Sequence, residues 1–130
     1  MASIFSKIIS DELPSYKITE NQYCLAFLDI FPIKKGHTLV VPKKEIDKFT
    51  NLDEIYYQEL MKLSKKIAIA LEKTIPCLRV GMAIVGLEIP HAHIHLVPLD
   101  HPNDIDFTKE KLKFTELEFS KIASDIRKNL

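Results

Sequence analysis

The run Pro90-His91-Ala92-His93-Ile94-His95-Leu96-Val97-Pro98 decides how this sequence folds and where its chemistry lies. Because side chains alternate between the two faces of a β-strand, the three histidines would share one face, about 6.6 Å from one to the next. Ala92, Ile94 and Leu96 would point the other way, into a core. Three titratable rings on one face are an unusual choice for packing, so the run predicts a functional strand.

The composition restricts the class of protein. A chain of 130 residues with 46% hydrophobic side chains suffices for one compact domain, so we expect a single domain over residues 1–130. Eighteen basic and eighteen acidic residues cancel, which leaves no strong field to attract nucleic acid or an anionic membrane. No stretch approaches eighteen apolar residues, and the N-terminus lacks the apolar segment of a signal peptide. We expect a soluble, cytoplasmic protein that binds neither nucleic acid nor membranes.

The two cysteines point to the same compartment. Cys24 and Cys77 each lie in an apolar run, and two cysteines in 130 residues are far from the density of a secreted disulfide scaffold. We expect both to be buried thiols in a reducing environment.

Four segments have the composition of strands, namely residues 23–29, 37–42, 79–85 and 91–97. They are rich in β-branched, aromatic and aliphatic residues, and turn formers such as Pro32 and Gly36 bound them. Apolar residues at 4, 5, 8 and 9 also indicate a short helical face near the N-terminus.

A long helix is predicted between the second and third of these strands. The run Asn51-Leu52-Asp53-Glu54 has the form of a capping box, and apolar residues follow at steps of three and four until Pro76 prevents continuation. A second capping box, from Thr115 to Glu118, opens a C-terminal helix. Strands in adjacent pairs with helices in separate segments favour an α+β fold with an antiparallel sheet of about five strands.

The residues alone leave three uses of the histidine row open. Imidazoles at i and i+2 of a strand can share one Zn²⁺ with a third ligand from elsewhere, as in a metallohydrolase. Alternatively, one ring attacks phosphorus while its neighbours donate hydrogen bonds to the phosphoryl oxygens. The third use is a row of solvated side chains. Gly86 and Pro90, which bracket the approach to the strand, and His37 directly after Gly36 favour a ligand site.

The histidine run also resembles the signature of the histidine triad family, in which three histidines are separated by apolar residues and followed by two more. Residues 3–9, 26–30 and 36–43 match the N-terminal half of the family in order and spacing, and the last helix matches its C-terminal end. The resemblance therefore covers nearly the whole chain. It is nearest to small bacterial members of the branch that contains nucleoside phosphoramidases.

The resemblance implies a hydrolase or transferase that acts at the α-phosphorus of purine nucleoside phosphoramidates or related nucleotide conjugates. In such an enzyme His93 would attack phosphorus and form a covalent nucleotidyl-histidine, with its Nδ1–H held by the carbonyl of His91. His95 and His37 would surround the phosphate oxygens. An ordinary imidazole pKa near 6.5 leaves Nε2 largely unprotonated at neutral pH. This scheme requires no metal and no cofactor.

The resemblance extends to the nucleoside half of the site. Asp29 would accept hydrogen bonds from the ribose hydroxyls, and the slot for the purine base would be formed by Phe5, Ile8, Phe27 and Ile30. Phe27 and Ile30 also suit a plain core, and Asp29 also suits a turn. The joint match of all five favours the nucleotide site.

Two further family properties bear on metal and assembly. Some members hold a structural zinc partly through a Cys-x-x-Cys near the N-terminus, but Ser3 and Ser6 stand at those positions here. A hydroxyl is a poor zinc ligand, so we expect no metal there. The family also pairs through its long helix and an edge strand, which implies a homodimer; the sequence alone indicates only that an open sheet edge needs cover.

The sequence departs from the family pattern where a leaving group would lie. Ala83 and Leu87 stand where the family often has amide side chains, and Glu88 stands where a hydroxyl is frequent. The loss of two donors keeps open a nucleotide-binding regulatory module with weak turnover, and dinucleoside polyphosphates are an alternative substrate class. If Glu88 faces the site, it would favour a cationic leaving group over an anionic one. The alternative for Glu88 is a solvated loop charge.

Overall fold

A five-stranded antiparallel sheet organises the computed structural model, which describes residues 2–130. The strands lie in the order β1-β2-β3-β5-β4, and they are β1 (Lys17–Glu20), β2 (Cys24–Leu28), β3 (Thr38–Pro42), β4 (Arg79–Ala83) and β5 (Ile94–Leu99). The helices are α1 (Ile4–Ile9), α2 (Glu54–Thr74) and α3 (Glu116–Lys128), with 3-10 turns at Phe49–Asn51 and Pro102–Asp104. The predicted α+β fold, with one long helix and a C-terminal helix, is confirmed.

The sheet packs against helices on both faces, which explains why β2 and β3 are buried along their whole length. On one face the strands meet α2 and α3, whose wholly buried side chains include Leu60, Ile67 and Ile126. On the other face a smaller cluster packs against α1, and its members are Phe5, Leu25, Phe27, Leu39 and Val41. Each fully buried side chain of this size contributes about 1.5–3 kcal/mol to folding. Most of the predicted site residues lie on the α1 face.

The predicted strands do not include β1. It is a four-residue edge strand in which only Ile18 is buried, and its pairing with β2 is interrupted between Lys17 and Thr19. The alternation of Tyr16 and Ile18 with polar neighbours is a short version of the pattern of a half-buried strand. A run of this length gives too weak a periodicity to stand out.

The long helix α2 starts later than its predicted capping box. Asn51 ends a 3-10 turn, and Asp53 is the N-cap residue without a side-chain cap bond, because its carboxylate forms an ion pair with Lys44. The predicted capping box of α3 is confirmed, with Thr115 and Glu118 bonding each other's main-chain N–H groups. None of the helices in residues 2–130 is both long and apolar enough to cross a membrane.

The strand that was predicted to hold all three histidines begins at Ile94, so only His95 lies within it. The ladder between β3 and β5 runs from Thr38 opposite Leu96 to Val40 opposite Ile94. Two positions further on, Pro42 has no N–H to donate, so the ladder ends. His91 and His93 therefore precede the strand, where their neighbours in space, and not a ladder, hold them.

The two cysteines differ in burial. Cys24 is fully buried in β2, as predicted, and burial raises the pKa of its thiol to about 12. Cys77 is only partly buried, which corrects the prediction. It follows Pro76 in the connection from α2 to β4, where the chain runs along the surface. Burial also raises the pKa of Cys77.

Candidate active site

A cavity of about 430 Å³ opens on the α1 face of the sheet and gathers nearly all of the predicted site residues. Those that line it are Phe5, Ile8, Phe27, Asp29, Ile30, His37, Glu88, His93 and His95. Only His91 of the predicted set is missing from its wall. These residues come from α1, the end of β2, the start of β3, the β4–β5 loop and β5, so the fold brings together positions up to 90 apart in sequence.

His93 is held in one orientation by the main chain. Its Nδ1 lies 2.8 Å from the carbonyl oxygen of His91, and a carbonyl only accepts hydrogen bonds, so Nδ1 carries the proton. In the neutral ring Nε2 then has a free lone pair. The ring packs edge-on against Phe5, with centroids 4.8 Å apart. The arrangement supplies an unprotonated imidazole nitrogen on a ring in the cavity wall.

His91 does not face the cavity, contrary to the predicted row of three rings. It is fully buried beneath α1, with Nε2 2.9 Å from the carbonyl oxygen of Pro42 and Nδ1 2.8 Å from the hydroxyl of Ser3. Its ring touches Phe5 at a centroid distance of 5.7 Å. The first histidine is thus a buried structural neighbour of the second.

His37 and His95 form a directed pair. His37 Nδ1 accepts a hydrogen bond from the N–H of Ile33 at 3.2 Å, so in the neutral ring the proton is on Nε2. That Nε2–H donates to His95 Nδ1 at 3.0 Å, which places the proton of His95 on its own Nε2. The network therefore leaves His95 Nε2–H available as a donor, whereas the N–H of His37 is already used by His95. The centroids of His95 and His93 are 4.7 Å apart, closer than the two-residue rise of a strand.

Burial keeps these rings neutral. It is the largest cause of a lowered pKa for each of the four, bringing His37 to about 4 and His95 to about 3 and lowering the pKa of His91 and His93 as well. Neighbouring imidazoles lower the pKa of His95 further. The carbonyl of His91 opposes the effect of burial on the pKa of His93. At pH 7 the site thus holds one imidazole acceptor beside one imidazole donor.

Asp29 serves a turn and still faces the cavity. Its Oδ1 accepts a hydrogen bond from the N–H of Phe31 at 2.8 Å, which is the turn role expected of an aspartate. Its Oδ2 lies 3.5 Å from His37 Nε2. Both interpretations of this residue are therefore compatible with its position, because only one oxygen is used by the turn.

The apolar part of the cavity has a closed end and an open rim. Phe5 and Phe27 are both 3% exposed and meet edge to face, with centroids 5.7 Å apart, so they form a fixed wall. Ile8 is half-buried, and Ile30 is 54% exposed at the rim. A flat apolar ring would replace water at this rim and cover Ile30.

The segment after β5 contributes a wall that was not predicted. Phe107 packs on His95 at a centroid distance of 4.5 Å and on His37 at 6.1 Å. Lys111 also lines the cavity, and its Nζ donates to the carbonyl oxygens of Phe107 at 2.5 Å and Lys109 at 3.1 Å. Its positive charge helps lower the pKa of both His37 and His95. One aromatic residue in a polar, aperiodic segment was the only sequence signal for this wall.

The three positions that depart from the family pattern lie around His95 and the cavity rim. Ala83 is the partner of His95 in the β4–β5 ladder and offers only a methyl group. Leu87, 89% exposed, and Glu88, also exposed, line the rim. The charge of Glu88 raises the pKa of His93, opposing the larger effect of burial.

Two clusters bear on metal binding. Asp29, His37 and His95 offer one ligand atom each, all within 4.8 Å of one another, a mixed imidazole and carboxylate set that transition metals accept. At the other cluster, Ser3 and Ser6 are engaged in hydrogen bonds with His91 and Glu45.

Comparison with known proteins identifies the chain. The family model for the HIT domain matches residues 10–102. The chain belongs to the histidine triad (HIT) family. A HIT-like protein of Borreliella burgdorferi is 36% identical over 135 aligned positions, covering 98% of this chain and 97% of the relative.

Two other HIT proteins are similar to this chain, one in sequence and one in structure. The adenosine 5'-monophosphoramidase HNT1 of Saccharomyces cerevisiae is 38% identical over 98 positions, covering 75% of this chain and 62% of the yeast protein. The crystal structure of a HIT-like protein from Bartonella henselae superposes with a TM-score of 0.86 at 27% identity, covering 98% of this chain and 96% of that one. The HIT model ends before Phe107 and Lys111 and begins after Phe5, so part of the cavity wall lies outside the matched region.

Proposed function

We propose that this HIT protein hydrolyses purine nucleoside phosphoramidates, or related nucleotide conjugates, through a covalent nucleotidyl-His93. The observation that supports it most is the bond from His93 Nδ1 to the carbonyl of His91, which leaves Nε2 free to attack. The relative named adenosine 5'-monophosphoramidase supports the substrate class.

In the first step the Nε2 lone pair of His93 attacks the α-phosphorus. The bond from phosphorus to the leaving nitrogen breaks, and that nitrogen takes the bonding pair and a proton from solvent. His95 Nε2–H donates to a non-bridging oxygen as negative charge accumulates there. In the second step water attacks phosphorus, the bond to Nε2 breaks, and the nucleoside monophosphate leaves while water gives a proton to solvent. The intermediate divides one difficult displacement into two easier ones.

The nucleoside would occupy the rest of the cavity. The second oxygen of Asp29 would accept hydrogen bonds from ribose hydroxyls, and this role is supported by the turn's use of only the first oxygen. The purine would lie against Phe5 and Phe27, with Ile8 and Ile30 at its edges. Burying a flat ring on this wall supplies affinity without polar contacts to the base.

A second candidate is a nucleotide-binding regulatory module with weak turnover. It is favoured by Ala83, which offers His95 no amide, and by Leu87, whose side chain is almost wholly exposed. Under this alternative the protein binds adenosine monophosphate but releases it from conjugates only slowly. Dinucleoside polyphosphates remain the alternative substrate class.

The decisive experiment is to trap the intermediate. Incubation with an adenosine phosphoramidate labelled at phosphorus, followed by rapid denaturation, should leave acid-labile label on the wild-type protein and none on His93→Ala. The variant should lose turnover by several orders of magnitude and still bind adenosine monophosphate. Near-normal turnover of His93→Ala would exclude the mechanism, and binding without label or turnover in the wild type would favour the regulatory module.

The same preparation tests the metallohydrolase alternative. The proposed reaction uses no metal, so activity should survive chelator treatment and elemental analysis should find no stoichiometric transition metal. One tightly bound metal per chain, lost together with activity, would instead favour the metallohydrolase, for which Asp29, His37 and His95 are the candidate ligands.

We also propose that the protein is a cytoplasmic homodimer. The outer edge of β4 has no strand partner within residues 2–130, and it carries the exposed apolar side chain of Met82, with Leu78 directly before the strand. Such an edge invites pairing with a second copy. Sedimentation should give a dimer that Met82→Glu weakens, and a monomeric wild type at micromolar concentration would contradict it.

A further inference from the structure

The first helix meets the buried histidine of the triad through one side chain, Ser3. Ser3 is 7% exposed and caps α1, where its Oγ accepts the N–H of Ser6 at 3.0 Å. The same Oγ lies 2.8 Å from His91 Nδ1. A helix-capping hydroxyl thus also reaches the residue on which His93 depends.

The direction of this bond follows from the other side of the ring. His91 Nε2 lies 2.9 Å from the carbonyl oxygen of Pro42, and that oxygen can only accept, so Nε2 carries the ring proton. The ring is neutral because it is buried, and its Nδ1 therefore has a lone pair and no hydrogen. Ser3 must donate its hydroxyl hydrogen to Nδ1, and every polar atom of the His91 ring is then satisfied.

We propose that Ser3 is a positioning residue of the triad: its hydroxyl holds the ring of His91 and so fixes the carbonyl that orients His93. That carbonyl accepts His93 Nδ1–H at 2.8 Å, so a shift or rotation of His91 reaches the nucleophile through one hydrogen bond. The inference rests on the proposed function, in which His93 Nε2 attacks phosphorus.

Glu45 holds Ser3 in place. One of its oxygens accepts the N–H of Ser3 at 2.6 Å and the hydroxyl of Ser6 at 2.7 Å. These hydrogen bonds lower the pKa of Glu45 to about 2, so the carboxylate is ionised throughout the physiological range. The start of α1 is therefore anchored at two residues, of which only Ser3 touches His91. Ser6 offers a matched control.

The kinetic test compares four variants with the wild type, using an adenosine phosphoramidate as substrate. Ser3→Ala should lower kcat by about fivefold, the size of one lost hydrogen bond, with KM within about twofold. Ser3→Gly retains most of the capping and should show the same loss without unfolding. Ser3→Thr keeps the hydroxyl and should restore kcat to within about twofold of wild type. Ser6→Ala should leave kcat unchanged. If Ser3 served only to hold α1 in place, Ser3→Ala would instead raise KM, because α1 forms a wall of the base slot. Ser6→Ala would then raise KM as well.

A second readout does not depend on turnover. Imidazole ¹⁵N spectra of the wild type should show His91 protonated at Nε2 and His93 at Nδ1. In Ser3→Gly the His93 signals should move toward a mixture of tautomers, and in Ser6→Ala they should stay. An unchanged His93 tautomer together with unchanged kcat in Ser3→Gly, or an equal loss in Ser6→Ala, would overturn the inference. If the wild type forms no nucleotidyl-His93, the proposed function is wrong. The change of the His93 tautomer in Ser3→Gly would still show whether Ser3 positions His93.

Discussion

His37 Nε2 lies 3.0 Å from His95 Nδ1, and this contact makes one directed donor out of a buried and a half-buried imidazole. Because the only N–H of the neutral His37 ring donates to His95, we propose that His37 would act on a bound phosphate through His95. The expectation that both rings surround the phosphate oxygens stays a prediction, which the variants below test. Gly36, which has a φ of +89° and no room for a Cβ beside Ile75, fixes where His37 enters.

The pair predicts unequal mutational effects. His95→Ala removes the donor to the phosphate and should lower kcat by about 10²–10³. His37→Ala leaves that donor present but no longer fixes its tautomer, so the loss should be smaller. The measurement is steady-state hydrolysis of an adenosine phosphoramidate, with His101→Gln as a control for an exposed histidine. A greater loss in His37→Ala than in His95→Ala would reverse the assignment.

Stability should fall as the solution becomes mildly acidic. Burial lowers the pKa of His37 to about 4 and of His95 to about 3, against about 6.5 in the unfolded chain. Between these values the unfolded chain binds more protons, so the free energy of unfolding decreases as pH falls from 6.5 toward 4. Glu20 and Glu45 have carboxylates whose pKa is lowered to about 2 in the folded protein. The stabilisation that they provide is therefore lost only as the pH falls below about 4.5.

Urea unfolding at several pH values between 7.5 and 4.5 checks this expectation. A variant with both His37→Gln and His95→Gln should show a flatter dependence, since its buried amides do not titrate. Wild-type stability that stays level from pH 7 to pH 5 would contradict neutral buried imidazoles.

Glu88 should set the preference between leaving groups. Its carboxylate lies at the cavity rim near His93, where it would repel an anionic leaving group and attract an amine that leaves as a cation. We expect a larger kcat/KM for adenosine phosphoramidates with lysine-like leaving groups than for dinucleoside polyphosphates. Glu88→Ser should bring the kcat/KM values for the two substrate classes closer together. An unchanged ratio would mean that Glu88 is a solvated loop charge, and faster cleavage of polyphosphates by the wild type would contradict the substrate class.

Lys111 should favour anionic groups of the substrate, whereas Glu88 should disfavour them. Lys111 lines the cavity, its charge lowers the pKa of His37 and His95, and two backbone carbonyls hold its ammonium group in place. Lys111→Met should raise KM for all nucleotide substrates, and by more for dinucleoside polyphosphates, whose additional phosphates carry more charge. The matched control is Lys113→Met, at an exposed lysine of the same segment. Equal effects of the two variants would show that only overall charge matters.

The sequence was sufficient for the architecture and for most of the cavity. The apolar strands and the Thr115 capping box are local patterns, and local patterns report element type. Alternation around the histidine run indicated β5, but it did not show that the strand begins only at Ile94 or that His91 is turned away from the cavity. The family resemblance added Phe5, Asp29 and Phe27, which no periodicity distinguishes from core or turn residues.

Contacts between side chains that lie far apart along the chain could not be predicted from the sequence. The burial of His91 depends on Ser3 and on Pro42, 88 and 49 positions away, and strand alternation holds no record of either. Phe107 and Lys111 are in a segment without periodicity, so their place beside His95 follows only from how that segment packs. The start of α2 was misplaced because Asn51 ends a 3-10 turn, which leaves Asp53 as the N-cap residue.

The separation between Ser3 and His91 also affects how the molecule is made. At about 5–20 residues per second on the ribosome, the N-terminal helix is synthesised about 4–18 s before the histidine that it holds. During that interval Phe5 and Ile8 have no cavity to line, and β3 lacks its neighbour β5 in the sheet. A nascent chain therefore completes the cavity late, when the last strand inserts between β3 and β4.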